Sequence, residues 1–66
     1  MNGRKLKAKI IERGLNVEKF ASLIGMTRSS LYRRLNESAN MTIGEAIRIK
    51  DVLELTDEEA SVIFFG

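Results

Sequence analysis

Val17-Glu18-Lys19-Phe20-Ala21-Ser22-Leu23-Ile24-Gly25-Met26-Thr27-Arg28-Ser29-Ser30-Leu31-Tyr32-Arg33-Arg34-Leu35-Asn36 is the stretch around which the chain can be organised. It divides at Gly25 into two short segments, each with apolar residues at helical spacing: Phe20, Leu23 and Ile24 in the first, Leu31 and Leu35 in the second. Gly25 stands where a tight turn needs a positive φ, which is costly for a residue with a Cβ, and Ala21 is small where a second helix must cross closely. The spacing predicts a helix-turn-helix.

Reading outward from this unit, every break is marked by Asn, Gly, Ser or Thr, and proline is absent. Asn2 can cap a first helix from about Gly3 to Arg13, with Leu6 and Ile10 at i,i+4, Ile11 beside them and Gly14 to stop it. Asn16 and Thr27 cap the second and third helices, and a loop over residues 37–41 follows. Thr42-Ile43-Gly44-Glu45 and Thr56-Asp57-Glu58-Glu59 each have the spacing of a capping box and start two more helices. Ile43, Ala46, Ile47, Ile49 and Leu53 are expected to face inward from the fourth, and Ala60, Ile63 and Phe64 from the fifth. Phe65 falls elsewhere on the last helix and is a candidate subunit contact. Strand alternation is absent, so the expected fold is all-α: a compact five-helix domain over residues 1–66.

Composition removes whole classes of function. A chain of 66 residues buries only about 60% of its unfolded surface, enough for one small domain. With no Cys and no His there is no disulfide, no thiolate or imidazole metal site, and no nucleophile or base of either type, so an enzyme is not expected. The carboxylates of Asp57, Glu58 and Glu59 suit the first turn of a helix, where they oppose the dipole, and no metal or other cofactor is called for. The longest apolar run, Val62-Ile63-Phe64-Phe65, is far short of the roughly 20 residues of a membrane span. The expectation is a soluble, intracellular protein without a small-molecule substrate.

The net charge of +2 conceals two opposed halves. Residues 1–34 hold nine cations (Arg4, Lys5, Lys7, Lys9, Arg13, Lys19, Arg28, Arg33 and Arg34) against Glu12 and Glu18, a net +7. Residues 35–66 hold Arg48 and Lys50 against seven carboxylates, a net −5. The basic half coincides with the helix-turn-helix, the distribution expected of a face that meets phosphates. At about 100° per residue, Leu31 and Leu35 define the buried side of the third helix. Ser29 and Arg33 then centre the opposite side, with Ser30, Tyr32 and Asn36 beside them and Arg28 and Arg34 on the flanks. An α-helix fits the DNA major groove, where an arginine can give two hydrogen bonds to guanine, worth roughly 1–3 kcal/mol of discrimination. Arg33 is the first candidate for that contact, with Arg28, Ser29, Ser30 and Tyr32 as further base-contacting candidates. Lys19, Arg34, Asn36, Ser38 and Asn40, with the backbone N–H groups at the start of the second helix, are the phosphate-contacting candidates. Lys5, Lys7 and Lys9 read as a solvated face adding long-range attraction.

Residues 17–36, and nearly the whole chain around them, resemble the lambda-repressor-like superfamily, in particular small Cro-type phage regulators and their xenobiotic-response-element relatives. The resemblance implies five helices with the motif at helices two and three, and base contacts at Arg28, Ser29, Tyr32 and Arg33 with a phosphate contact at Asn36. Arg34 departs from the family pattern, which is commonly apolar there, and implies a third helix slightly rotated or differently ended. The resemblance further implies a cytoplasmic regulator in a bacterial host cell, binding a palindromic double-stranded operator as a homodimer with recognition helices about 34 Å apart. It represses by blocking polymerase, and a Cro-like switch partner is expected rather than a repressor with a further domain. An antirepressor or interaction module, modulating a phage repressor without reading DNA itself, is the alternative.

Overall fold

Short-range hydrogen bonds set where each helix begins and ends. The computed structural model describes residues 1–37 and 41–65. Within them lie five α-helices and no strand: α1 Gly3–Glu12, α2 Val17–Leu23, α3 Arg28–Glu37, α4 Ile43–Val52 and α5 Asp57–Phe65. The Asn2 side chain accepts from the Lys5 N–H at 3.1 Å, Asn16 from Lys19 at 2.7 Å, and Thr27 Oγ1 from Ser30 at 3.2 Å. Both capping boxes close: Glu45 accepts from the Thr42 N–H while Thr42 accepts from the Glu45 N–H, and Glu59 and Thr56 do the same. Each cap satisfies backbone donors that a helix start otherwise leaves orphaned.

The C-terminal ends are equally explicit. Gly14 and Gly25 take φ of 76° and 74°, and the next N–H folds back over each, Leu15 to the Ile10 carbonyl at 3.1 Å and Met26 to the Ala21 carbonyl at 2.8 Å. α4 ends in the same way, with the Leu55 N–H on the Lys50 carbonyl at 2.9 Å, but the left-handed position is Glu54 at φ 52°. A side chain there costs about 1 kcal/mol. Arg13 braces that turn from the end of α1, its Nε donating to the Leu53 carbonyl at 2.8 Å.

The core takes residues from every helix: Leu6 and Ile10 from α1, Val17, Phe20 and Ala21 from α2, Leu31 and Leu35 from α3, Ile49 from α4 and Ile63 from α5, with Ile24, Leu53 and Leu55 from the turns. Ala21 is fully buried where α2 packs on α3, as its size requires. Two inward expectations, Ile43 and Ile47, are corrected, and Leu23 departs from the apolar stripe of α2. Leu23 is 54% exposed, Ile43 81% and Ile47 63%. On α2 the buried arc runs through Phe20, Ile24, Val17 and Ala21, and Leu23 lies about 60° outside it. On α4 the core takes Ile49 and Leu53 with Ala46 half-buried, whereas Ile43 and Ile47 lie roughly 120–160° from Ile49. Both helices carry more apolar residues than one buried side accommodates. Ile11, beside the buried stripe of α1, is also exposed.

Gly3 does more than begin α1. It is buried against the end of α3, where an added Cβ would overlap the Leu35 carbonyl oxygen and lie 2.9 Å from its carbonyl carbon. The neighbouring Asn2 N–H donates to the Ile63 carbonyl at 2.6 Å, so the start of the chain is fastened to α3 and α5 together. Gly3→Ala is expected to cost about 1–3 kcal/mol, because backbone rather than a flexible side chain has to move. Urea denaturation followed by circular dichroism checks it, and an unchanged midpoint would contradict this packing.

Candidate nucleic-acid interface

Burial of Leu31 and Leu35 fixes α3 about its own axis. Ser29, Arg33 and Asn36 point to solvent, with no side-chain hydrogen bond among the described residues. Arg28 and Tyr32 lie on the flank toward α1, and Arg34 on the flank toward α4. α3 continues to Glu37 without an early end, and the residue after Arg34 supplies the apolar contact, since Leu35 is buried.

The eleven cations of the chain divide sharply by partner. Arg34 holds Glu45 at 2.5 Å and touches the Met41 sulfur, tying α3 to α4. Lys9 pairs with Glu12 at 3.2 Å and with Glu59, tying α1 to α5, and Lys50 pairs with Asp57. Arg13 and Arg48 cap helix ends, the latter through the Ile24 carbonyl at 3.5 Å. Arg4, Lys5, Lys7, Lys19, Arg28 and Arg33 are exposed and have no carboxylate partner among the described side chains. Among the described side chains, the cations without a carboxylate partner therefore sit on α1, α2 and the outer side of α3.

The partnered carboxylates titrate accordingly. The Thr42 N–H, and after it the Arg34 guanidinium, hold Glu45 below the usual carboxylate range against the opposing effect of burial. The Lys50 ammonium lowers Asp57. The Lys9 ammonium, joined by the Thr56 N–H, pulls Glu59 down to about 2, and Lys9 itself is raised by the same pairing.

Each residue expected from the sequence now has a place. Ser29 and Arg33 share the exposed side of α3, and Asn36 follows them one turn on. Ser30 is half-buried and closes the α3 cap, its Oγ accepting from the Thr27 hydroxyl at 2.9 Å. Two cations approach the Tyr32 ring, the Arg28 guanidinium at 5.4 Å and Lys7 Nζ at 5.7 Å from its centre. Lys19 is exposed in the first turn of α2. Arg34 is engaged by Glu45, and Ser38 and Asn40 lie outside the described residues. Lys7 is the residue that a reading of α1 as a merely solvated face missed. The available signal was Gly3, whose lack of a side chain lets α1 press against α3 and brings Lys7 beside Tyr32.

A helix-turn-helix family model matches residues 6–59, from the first core leucine to the second capping glutamate. No curated protein matches the chain, and no solved structure does.

Glu59 gives a pH test of the frame behind this surface. Its carboxyl is depressed on folding, so the Lys9–Glu59 pairing contributes stability above its ordinary value of 4.5, lost as the pH falls toward 2. Glu59→Gln keeps an oxygen for the Thr56 N–H but removes the charge. Urea midpoints measured from pH 6 to pH 2 are expected to fall less steeply for the variant than for the wild type across that window. Parallel curves would refute the pairing.

Proposed function

The chain belongs to the helix-turn-helix family, a family of DNA-binding regulators, and from that premise we propose that it is a sequence-specific transcriptional repressor of the Cro-like phage or prophage kind. It binds a palindromic operator in the cytoplasm of a bacterial cell as a homodimer. The observation that carries this reading is the outer side of α3: Arg33, an exposed guanidinium with no carboxylate partner among the described side chains, beside the short Ser29. Arg33 reads a guanine through two hydrogen bonds, and Ser29 is small enough to let the helix axis approach the base edges. Arg28 and Tyr32 meet bases along the α1 flank, while Ser30 approaches them only with its remaining hydrogen-bonding capacity. Lys19 and Asn36 hold phosphates, which fixes register without reading sequence. Arg34 supports the interface from behind by fastening α3 to α4.

A second copy is the proposed occupant of the apolar surface at the α4–α5 end. Met1, Met41, Ile43, Ala46, Phe64 and Phe65 line a shallow concavity there, and Phe65 is 89% exposed. Ile47 extends the patch one turn along α4. With dimensions of 26 × 23 × 20 Å, two abutting copies suit recognition helices about one DNA turn, roughly 34 Å, apart. The same patch would serve an antirepressor, but the unneutralised outer side of α3 favours DNA as the first partner.

Selection of duplexes from a random pool, followed by fluorescence anisotropy on the enriched sequence, tests the assignment. Arg33→Ala is expected to weaken binding about 5- to 150-fold, the equivalent of 1–3 kcal/mol, with the circular dichroism unchanged. Failure of the wild type to enrich or bind any duplex would sink the reading. For the dimer, the double variant Ile43→Ser, Ile47→Ser is expected to sediment as a monomer at concentrations where the wild type is dimeric. A wild type that stays monomeric on its enriched duplex as well as in solution would argue against the second copy.

A further inference from the structure

α1 and α3 enclose a cleft on the Tyr32 side of the recognition helix, lined by Asn2, Gly3, Arg4, Lys7, Leu35 and Asn36, with a volume of about 560 Å³. Among the described residues its charged groups are Arg4 and Lys7, its neutral polar side chains are the amides of Asn2 and Asn36, and no carboxylate lines it. Neither cation is paired among the described side chains. The Asn2 oxygen already accepts from the Lys5 N–H, which leaves its amide group as a donor. Two unpaired cations and two amide donors, with no carboxylate among the described lining residues, favour an anion there.

We infer that this cleft is a phosphate-binding site for the DNA backbone, and that Arg4 and Lys7 of α1 grip the strand bordering the groove that α3 enters. The inference rests on the DNA-binding reading above and adds to it a second element of the fold and a direction of docking. Two observations on either side of α3 set that direction. On the α4 flank Arg34 is neutralised by Glu45, whereas on the α1 flank Arg28, Tyr32 and Lys7 form a continuous cationic array in contact through the tyrosine ring. Tyr32 is thus a positioning residue as well, holding Lys7 of one helix beside Arg28 of the other. Arg4 stands one turn before Lys7 on the same side of α1, above the Gly3 contact that lets the two helices close. Lys5 and Lys9 turn the other way, into a groove with Glu12, Glu58 and Glu59 against α5. Neighbouring cations of one helix are therefore assigned opposite roles.

The salt dependence of binding separates these roles, because each phosphate neutralised adds about 0.9 to the slope of log K against log salt. The probes are the duplex enriched by the wild type and a scrambled duplex of the same length. Arg4→Ala and Lys7→Ala are each expected to reduce the slope by about 0.9 per bound protomer on both duplexes, since a backbone contact is blind to sequence. Lys5→Ala, an identical change of charge one residue from Arg4, is expected to leave the slope as it was. Circular dichroism checks folding, and all three exposed variants are expected to match the wild type. Unchanged slopes in Arg4→Ala and Lys7→Ala, with a wild type that binds normally, overturn the α1 site while the DNA-binding reading stands. An equal fall with Lys5→Ala also overturns it, by reducing the effect to net charge. Absence of duplex binding by the wild type at any salt overturns both.

Discussion

The exclusion of Leu31 and Leu35 from water governs the direction of every other side chain on α3. Successive residues of a helix are about 100° apart, so once two positions a turn apart are committed to the core the remaining ones have no freedom of direction. Burial of each leucine is worth about 1.5–3 kcal/mol, a large fraction of the 5–15 kcal/mol typical of a folded domain. Rotating α3 to point Arg33 elsewhere would forfeit that contribution. The exposed surface is in this sense a by-product of the apolar one.

Around this helix the rest of the chain works as a frame. α2 lies across α3 through the small Ala21, and α1 lies along it through Gly3. The turns between helices are short and are held from outside themselves: Arg13 reaches forty residues along the chain to the end of α4, and Arg48 reaches the end of α2. The acidic half contributes to the same frame. Glu45, Glu59 and Asp57 each pair with a cation, so the positive charge left over is more localised than the sequence halves indicate.

What could be read from the sequence was what is encoded within about four residues. Asn2, Asn16, Thr27, Thr42 and Thr56 start helices through bonds three residues long, and Gly14 and Gly25 end them by backbone geometry alone. The outer side of α3 was legible for the same reason, since two leucines at i,i+4 leave little choice. Matters of tertiary approach were not legible. Nothing near Ile43 or Leu23 says which side of its helix a neighbour will cover, and Arg34 gives no local sign of Glu45 eleven residues on. Lys9 and Glu59 are fifty residues apart, and Lys7 acquires its place beside Tyr32 only because α1 comes to rest against α3. The left-handed Glu54 was invisible too, since the pattern that betrays such a turn elsewhere in this chain is a glycine.

Ser29 and Arg33 form no side-chain hydrogen bond or ion pair among the described residues, and the core is complete without them. Their identities can be exchanged with little thermodynamic penalty, because neither the caps, the turns nor the leucines behind them depend on what stands there. Single substitutions at these two positions would change the exposed side of α3 while leaving the scaffold unaltered. Innovation in this architecture is uncoupled from foldability.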